Sequence, residues 1–125
     1  MKAPVKDMPA ERPLIGVVGP CSAGKTTLIA GLVTHGHRAR HIAQDHSYVP
    51  SMWQRLVNPG VLIYLDVSYE VSMKRRPLDM SAAEFAEQNT RLAHARHYAD
   101  LLIFTDDLSP QEILQHVLAF LAGAT

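Results

Sequence analysis

A glycine-rich octapeptide is the segment of this sequence whose residue types and spacing are best suited to chemistry. It fits the pattern G-x-x-x-x-G-K-[ST] at every position. Its glycines allow the backbone to wrap a phosphate group with N–H groups pointing inward, and its lysine adds a cation. The threonine hydroxyl is a potential ligand for Mg²⁺. We call this segment, residues 19–26, the glycine loop. The predicted binding residues are those of the loop and the next residue in the chain: Gly19, Pro20, Cys21, Ser22, Ala23, Gly24, Lys25, Thr26 and Thr27.

The flanking segments have the character that such a loop requires. Residues 14–18 are apolar and rich in β-branched side chains, which is typical of a buried parallel strand. Residues 26–33 carry apolar side chains at i, i+4 spacing and end before Gly36, where a left-handed helix cap is expected. A strand therefore enters the glycine loop and a helix leaves it, with the positive end of the helix dipole at the loop.

The rest of the chain continues this alternation. Further strands are predicted over residues 40–43, 61–67 and 101–105, and a short helix over 69–76. Capping boxes predict helices that begin after Ser51, Ser81 and Ser109. Strands that alternate with helices predict an α/β fold, a three-layer sandwich around a short parallel sheet of about four strands.

Composition limits the possible functions. The 125 residues suit one domain, which we place at residues 13–125 after a flexible arm over residues 1–12. Lys plus Arg and Asp plus Glu are both 12, so no net charge favours binding to nucleic acid or to an acidic membrane. A single cysteine, no apolar signal segment and no run of membrane-spanning length predict a cytoplasmic protein.

Several segments resemble one group of proteins. Residues 13–19 resemble the opening of uridine kinase-like proteins, and residues 42–48 are similar to the QD-x-FY segment after their second strand. Residues 62–68, followed by Arg75 and Arg76, resemble the strand and lid entry of thymidylate and other small-molecule kinases. The resemblance continues through the last strand and helix. It covers residues 13–122, and its most specific part is the glycine loop.

The resemblance implies a fold of the P-loop NTPase type and a function in binding ATP with Mg²⁺. It further implies a minimal kinase that transfers the γ-phosphate of ATP to a small-molecule acceptor, such as a nucleoside or nucleotide. The chain is shorter than these kinases, and one βα unit and most of an acceptor-binding insertion are missing. The alternative is therefore a non-catalytic nucleotide-binding or regulatory module that acts with a partner protein. The chain can be a monomer or a homodimer.

Two aspartates compete for the metal. Asp66 ends an apolar strand, whereas Asp45 follows the weaker second strand. In the resembled kinases, the strand beside the phosphate loop supplies the carboxylate. With one βα unit absent, the second strand should lie next to the first, and the strand of Asp66 should lie on the first strand's other side. We therefore favour Thr26 and Asp45 as the magnesium ligands, with Asp66 as the alternative.

The remaining candidates have simpler interpretations beside the functional ones. Arg75 and Arg76 stand where a lid would place a guanidinium on the γ-phosphate, but cations also suit the end of a helix. Trp53 would stack on an acceptor base or pack into the core. The seven histidines lack the spacing of a zinc site.

Overall fold

The computed structural model describes residues 13–44, 47, 49–75 and 80–123. The predicted arm, residues 1–12, lies outside the described residues. Helices and strands follow the predicted alternation. The elements are β1 (Leu14–Val18), α1 (Lys25–Thr34), β2 (Arg38–His41), α2 (Met52–Leu56), β3 (Val61–Asp66), α3 (Tyr69–Arg75), α4 (Ala82–Tyr98), β4 (Leu101–Phe104) and α5 (Pro110–Gly123).

The sheet has four parallel strands in the order β2-β1-β3-β4. Strand β1 is central in the region of the glycine loop, because Ile15 pairs with Ala39 of β2 on one side and with Val61 of β3 on the other. The expected α/β fold with a four-stranded parallel sheet is confirmed. The expected neighbours are confirmed too, since β2 and β3 lie on opposite sides of β1.

The two faces of the sheet are buried in separate apolar clusters. Residues Ile15 and Val17 of β1 face the first cluster, which contains Leu28 and Leu32 of α1 and residues of α5. Val18 faces the second cluster, which is built with side chains from α2 and α4. This alternation follows from the two-residue period of a strand. Helices on both faces are compatible with a three-layer sandwich.

The second strand differs from the prediction. The sequence predicts a strand over residues 40–43, whereas β2 spans Arg38–His41. This strand is at the edge of the sheet and most of its side chains are exposed, so apolar character does not mark it. Ile42 lies just beyond it, where its N–H donates to the carbonyl of Val17 (3.1 Å) and its side chain is buried in the second cluster. Charged residues on an edge strand also disfavour pairing with other chains.

The predicted capping boxes form at two helices and fail at a third. At α4, the Ser81 hydroxyl and the Glu84 carboxylate each accept a hydrogen bond from the other residue's backbone N–H (3.1 and 2.8 Å). Ser109 and Glu112 do the same at α5, and the backbone hydrogen bond from Ser109 lowers the pKa of Glu112.

The box predicted at Ser51 and Gln54 is wrong, because the Ser51 side chain makes no capping hydrogen bond at α2. A tertiary contact replaces it: the buried side chain of Gln44 accepts a hydrogen bond from the N–H of Trp53 in the first turn (2.8 Å). Gln44 thus satisfies the N–H of Trp53, one of the donors at the start of α2 that have no partner within the helix, whereas the predicted box would have satisfied the N–H of Gln54.

Trp53 links α2 to α4, and its removal tests this packing. Its ring is 5% exposed and its Nε1–H donates to Nδ1 of His94 (2.9 Å). Trp53→Phe removes this hydrogen bond and part of the buried volume, so we expect the free energy of unfolding to fall by about 1–3 kcal/mol. Urea denaturation followed by circular dichroism measures it, with the exposed Arg55→Ala on the same helix as control. Equal midpoints for both variants and the wild type would contradict the packing role.

Candidate functional site

The glycine loop has a backbone that few sequences can adopt. Ser22 and Gly24 have positive φ angles of 63° and 102°, and Gly19 has a φ of 154°. A left-handed conformation at a residue other than glycine costs about 1–2 kcal/mol. At Gly19 a side chain is excluded by contact as well, because an added Cβ would collide with the backbone carbonyl of Leu65 in β3. The loop therefore leaves β1 in close contact with the neighbouring strand.

The start of α1 has neither a side-chain cap nor an acidic residue in its first turn. Its N-cap residue is Gly24. The first N–H groups of a helix have no partners within the helix and carry partial positive charge. No described side chain caps this helix end, and the helix dipole favours a negative charge there.

The polar side chains that begin α1 lie at the same place. The ammonium group of Lys25 folds back over the loop, where it donates to the carbonyls of Gly19 and Pro20, the latter at 3.2 Å. Thr26 and Thr27 are exposed. The structure thus brings the cation, the two hydroxyl side chains and the uncapped helix end together, as the sequence predicts for this segment.

Side chains from two other helices, α3 and α4, form hydrogen bonds with Cys21 of the loop. From α3, the Ser72 hydroxyl donates to the carbonyl of Cys21 (3.0 Å). From α4, the side-chain oxygen of Gln88 accepts a hydrogen bond from the N–H of Cys21 (3.3 Å), and its nitrogen donates to the Cys21 sulfur (3.2 Å). Sequence reasoning missed both side chains. Gln88 had a detectable signal, because it is a polar residue on the buried stripe of α4, between Phe85 and Leu92.

Arg75, at the end of α3, joins the loop to the end of β4. Its guanidinium donates to the carbonyl of Ser22 (3.2 Å), to the Thr105 hydroxyl (2.9 Å) and to the Thr105 carbonyl. The Thr105 hydroxyl in turn donates to the carbonyl of Asp66 (3.1 Å). Arg75 thus lies at the glycine loop. The other predicted lid arginine, Arg76, lies outside the described residues.

A cavity of about 280 Å³ opens beside the loop. One wall consists of Ser22, Gly24 and Thr27, and Arg75 also lines it. The other wall consists of Leu108, which precedes α5, and of Pro110 and Ile113 in the first turn of α5. The Ser22 hydroxyl oxygen is buried here with no hydrogen-bond partner among the described residues. The volume is near the lower end of the range of about 300–1,000 Å³ typical of small-molecule sites.

The two competing aspartates differ in what the structure shows of them. Asp66 accepts a hydrogen bond from the N–H of Val67 (3.0 Å) and forms an ion pair with Arg96 (3.5 Å). Asp45 lies outside the described residues. Its neighbour Gln44 is buried and donates to the carbonyls of Val49 and Arg91 (2.9 and 3.1 Å), which fixes the exit from β2.

The aromatic and histidine candidates have structural partners. Trp53 packs in the second cluster and is hydrogen-bonded to His94, which agrees with the core interpretation. In the part of the chain that is described, no three His, Cys, Asp or Glu side chains group as metal ligands, and no helix is both long and apolar enough to span a bilayer.

Comparisons with known proteins do not add an assignment. No model of a known protein family matches the chain, and no curated protein matches it. The arguments about function therefore rest on the residues and geometry of the glycine loop and its surroundings.

The close approach of Gly19 to β3 can be tested by adding one methyl group. Gly19→Ala forces the loop and β3 apart, so we expect a loss of about 2 kcal/mol or more in the free energy of unfolding. Gly123→Ala is the matched control, because an added Cβ there meets nothing within 4 Å. Urea denaturation of both variants measures the effect. A Gly19→Ala midpoint equal to that of the control would show that the loop does not need glycine at this position.

Proposed function

We propose that this chain is a P-loop protein that binds ATP with Mg²⁺ at the glycine loop and acts as a minimal small-molecule kinase. The observation that carries the proposal is the coincidence of sequence and geometry at one point. A complete G-x-x-x-x-G-K-[ST] segment occupies a turn from a central parallel strand to a helix whose N-terminus is uncapped. Each feature alone is common, but together they match the requirements of a bound polyphosphate.

The position of the loop in the sheet supports the same proposal. In the order β2-β1-β3-β4, the chain passes from β1 to β2 on one side and then crosses to β3 on the other. Ligands of open parallel sheets bind at the carboxyl ends of the strands, at the point where the strand order reverses. The glycine loop begins there, at the carboxyl end of β1 and against β3.

Different residues would bind different parts of Mg-ATP. The N–H groups at the start of α1 would receive phosphate oxygens, and the ammonium of Lys25 would leave the loop carbonyls for the β- and γ-phosphates. Thr26 and Asp45 would hold Mg²⁺, which neutralises phosphate charge when bound. The exposed hydroxyl of Thr26 and the carboxylate of Asp45 are the hard oxygen donors that this ion prefers.

The cavity beside the loop suits the base of the nucleotide. It is lined by apolar side chains at the start of α5, and the Arg75 guanidinium lies at its edge. Apolar walls would remove the ring system of a base from water. The cavity is contiguous with the loop through Ser22 and Gly24, so a nucleotide would reach both.

In the proposed reaction, an acceptor oxygen attacks the γ-phosphorus and ADP leaves. Lys25 and a lid arginine, Arg75 or Arg76, would stabilise the charge that the transferring group carries. Asp45 would orient the acceptor hydroxyl or hold the metal. Catalysis of this kind is mainly positioning and electrostatic stabilisation. The acceptor would be a small molecule such as a nucleoside or nucleotide, and the reaction would take place in the cytoplasm.

A second function is a nucleotide-binding module without phosphotransfer, which regulates a partner protein. One observation favours it. The interval between α1 and β3 is only residues 35–60, and it must also include β2 and α2. Little chain is left there for a pocket that binds an acceptor. A turnover screen with ATP and a panel of nucleosides, nucleotides and sugars separates the two functions.

Lys25→Ala tests nucleotide binding itself. Losing a charged hydrogen bond to a phosphate should weaken ATP binding by about 2–3 kcal/mol. Isothermal titration calorimetry with Mg-ATP measures this, and Lys74→Ala is the matched control because Lys74 is an exposed lysine on α3. Equal affinities for Lys25→Ala and the wild type, or no binding to either, would refute the proposal.

The roles of the two aspartates can be distinguished by substitutions to asparagine, which keep the size of the side chain and remove one negative charge. We expect Asp45→Asn to lower Mg²⁺-dependent ATP affinity or activity, because a carboxylate near the metal interacts with a divalent charge. Asp66→Asn removes a partly exposed ion pair with Arg96 and should cost no more than about 1 kcal/mol of stability while the magnesium response is kept. Magnesium titrations at fixed ATP measure both. A loss of response confined to Asp66→Asn would reverse the assignment.

A further inference from the structure

The glycine loop needs support from outside itself. The positive φ angles of Ser22 and Gly24 are unfavourable or entropically costly. Within the loop, the Lys25 ammonium donates to the carbonyls of Gly19 and Pro20, and the N–H of Ala23 makes a long hydrogen bond to the carbonyl of Pro20 (3.3 Å). These bonds do not involve the backbone of Cys21 or Ser22. Strained backbone of this kind persists only where the surrounding structure holds it. The side chains that hold it therefore decide whether the loop has a shape that receives an anion.

Gln88 is placed to provide this support. Its side chain is only 5% exposed, so both ends of its amide require partners. Both partners belong to one loop residue: Cys21 donates its N–H to the amide oxygen and its sulfur accepts from the amide nitrogen. The neighbours of Gln88 on the buried stripe of α4 are Phe85 and Leu92. Packing alone would be served by an apolar residue, so the loop contact explains why an amide is found there.

The contact with Gln88 also determines the direction of the loop backbone. The Ser72 hydroxyl, which is fully buried, donates to the carbonyl of Cys21 (3.0 Å), so both backbone polar groups of Cys21 are bonded to other helices. The N–H of Cys21 is directed to α4 and is not offered to a ligand.

We propose that Gln88 is a positioning residue which, through Cys21, holds the glycine loop in the shape that binds phosphate. The inference rests on the proposed function, because the consequence for binding requires that phosphate binds at the loop. The restraint on Cys21 does not depend on the proposed function, because Gln88 holds Cys21 whether or not a nucleotide is present.

The chain contains its own reporter for this restraint. Cys21 is the only cysteine, so its reaction with dithiobis(nitrobenzoate) measures the exposure of one loop residue. Gln88→Met keeps the shape of the side chain and removes both hydrogen bonds. We expect Cys21 to react at least about fivefold faster and Mg-ATP affinity to fall about tenfold, the equivalent of leaving one buried N–H unsatisfied.

Leu92→Ala is the matched control. It lies one turn further along α4, is fully buried in the second cluster, and its truncation destabilises the helix packing without contact to the loop. It should lower the melting temperature yet leave the thiol rate and ATP affinity within about twofold of wild type, a change small on the scale of one net hydrogen bond. Gln88→Leu replaces Gln88→Met should the latter fail to fold.

The outcomes separate this inference from the proposed function. Equal thiol rates in Gln88→Met and Leu92→Ala would overturn the restraint on Cys21. A faster thiol with unchanged ATP affinity would overturn the positioning role. Wild-type protein that binds no ATP would overturn the proposed function and with it the positioning of a phosphate site, while the thiol rates would still decide whether Gln88 restrains the loop.

Discussion

The contact between Gly19 and the backbone of Leu65 is the constraint on which the rest of the candidate site depends. It is possible only for a residue without a side chain, and it brings the start of the glycine loop against β3 as well as β1. Because β1 is paired on both sides, its carboxyl end cannot shift, and the loop is fixed relative to the sheet. From this fixed point α1 starts with its N-terminus directed at the interior of the loop.

Two layers of contact then secure different parts of the loop. Below it, the sheet and the first apolar cluster hold Ala23 and Leu28, so the entry to α1 is part of the core. Beside it, Ser72, Arg75 and Gln88 bind the polar groups of Cys21 and Ser22. The apolar contacts fix where the loop lies, and the polar contacts fix how its backbone is turned. The shape that the loop presents to a ligand would therefore depend on the positions of α3 and α4.

Much of this arrangement could be predicted from sequence because its signals are local. The strand β1, the caps of α4 and α5 and the glycine loop each depend on residues within a few positions of one another. The order of β2, β1 and β3 in the sheet could also be predicted, by counting the βα units in the sequence. The edge strand β2 was displaced by two residues in the prediction because exposed arginines carry no apolar period. The cap of α2 and the bonds of Gln88 join residues far apart in sequence, and no local pattern specifies such contacts.

The same difference between local and distant contacts explains why the proposed phosphate site is better defined than any site for an acceptor. Phosphate recognition requires backbone N–H groups, a helix dipole and one lysine, and these come from a single continuous segment. Recognition of an acceptor in the proposed reaction would require side chains from several elements. The bonds of Gln44 to Trp53, Val49 and Arg91 tie the exit of β2, α2 and α4 together just before Asp45. Helix α4 therefore contacts both the exit of β2, through the carbonyl of Arg91, and the glycine loop, through the side chain of Gln88.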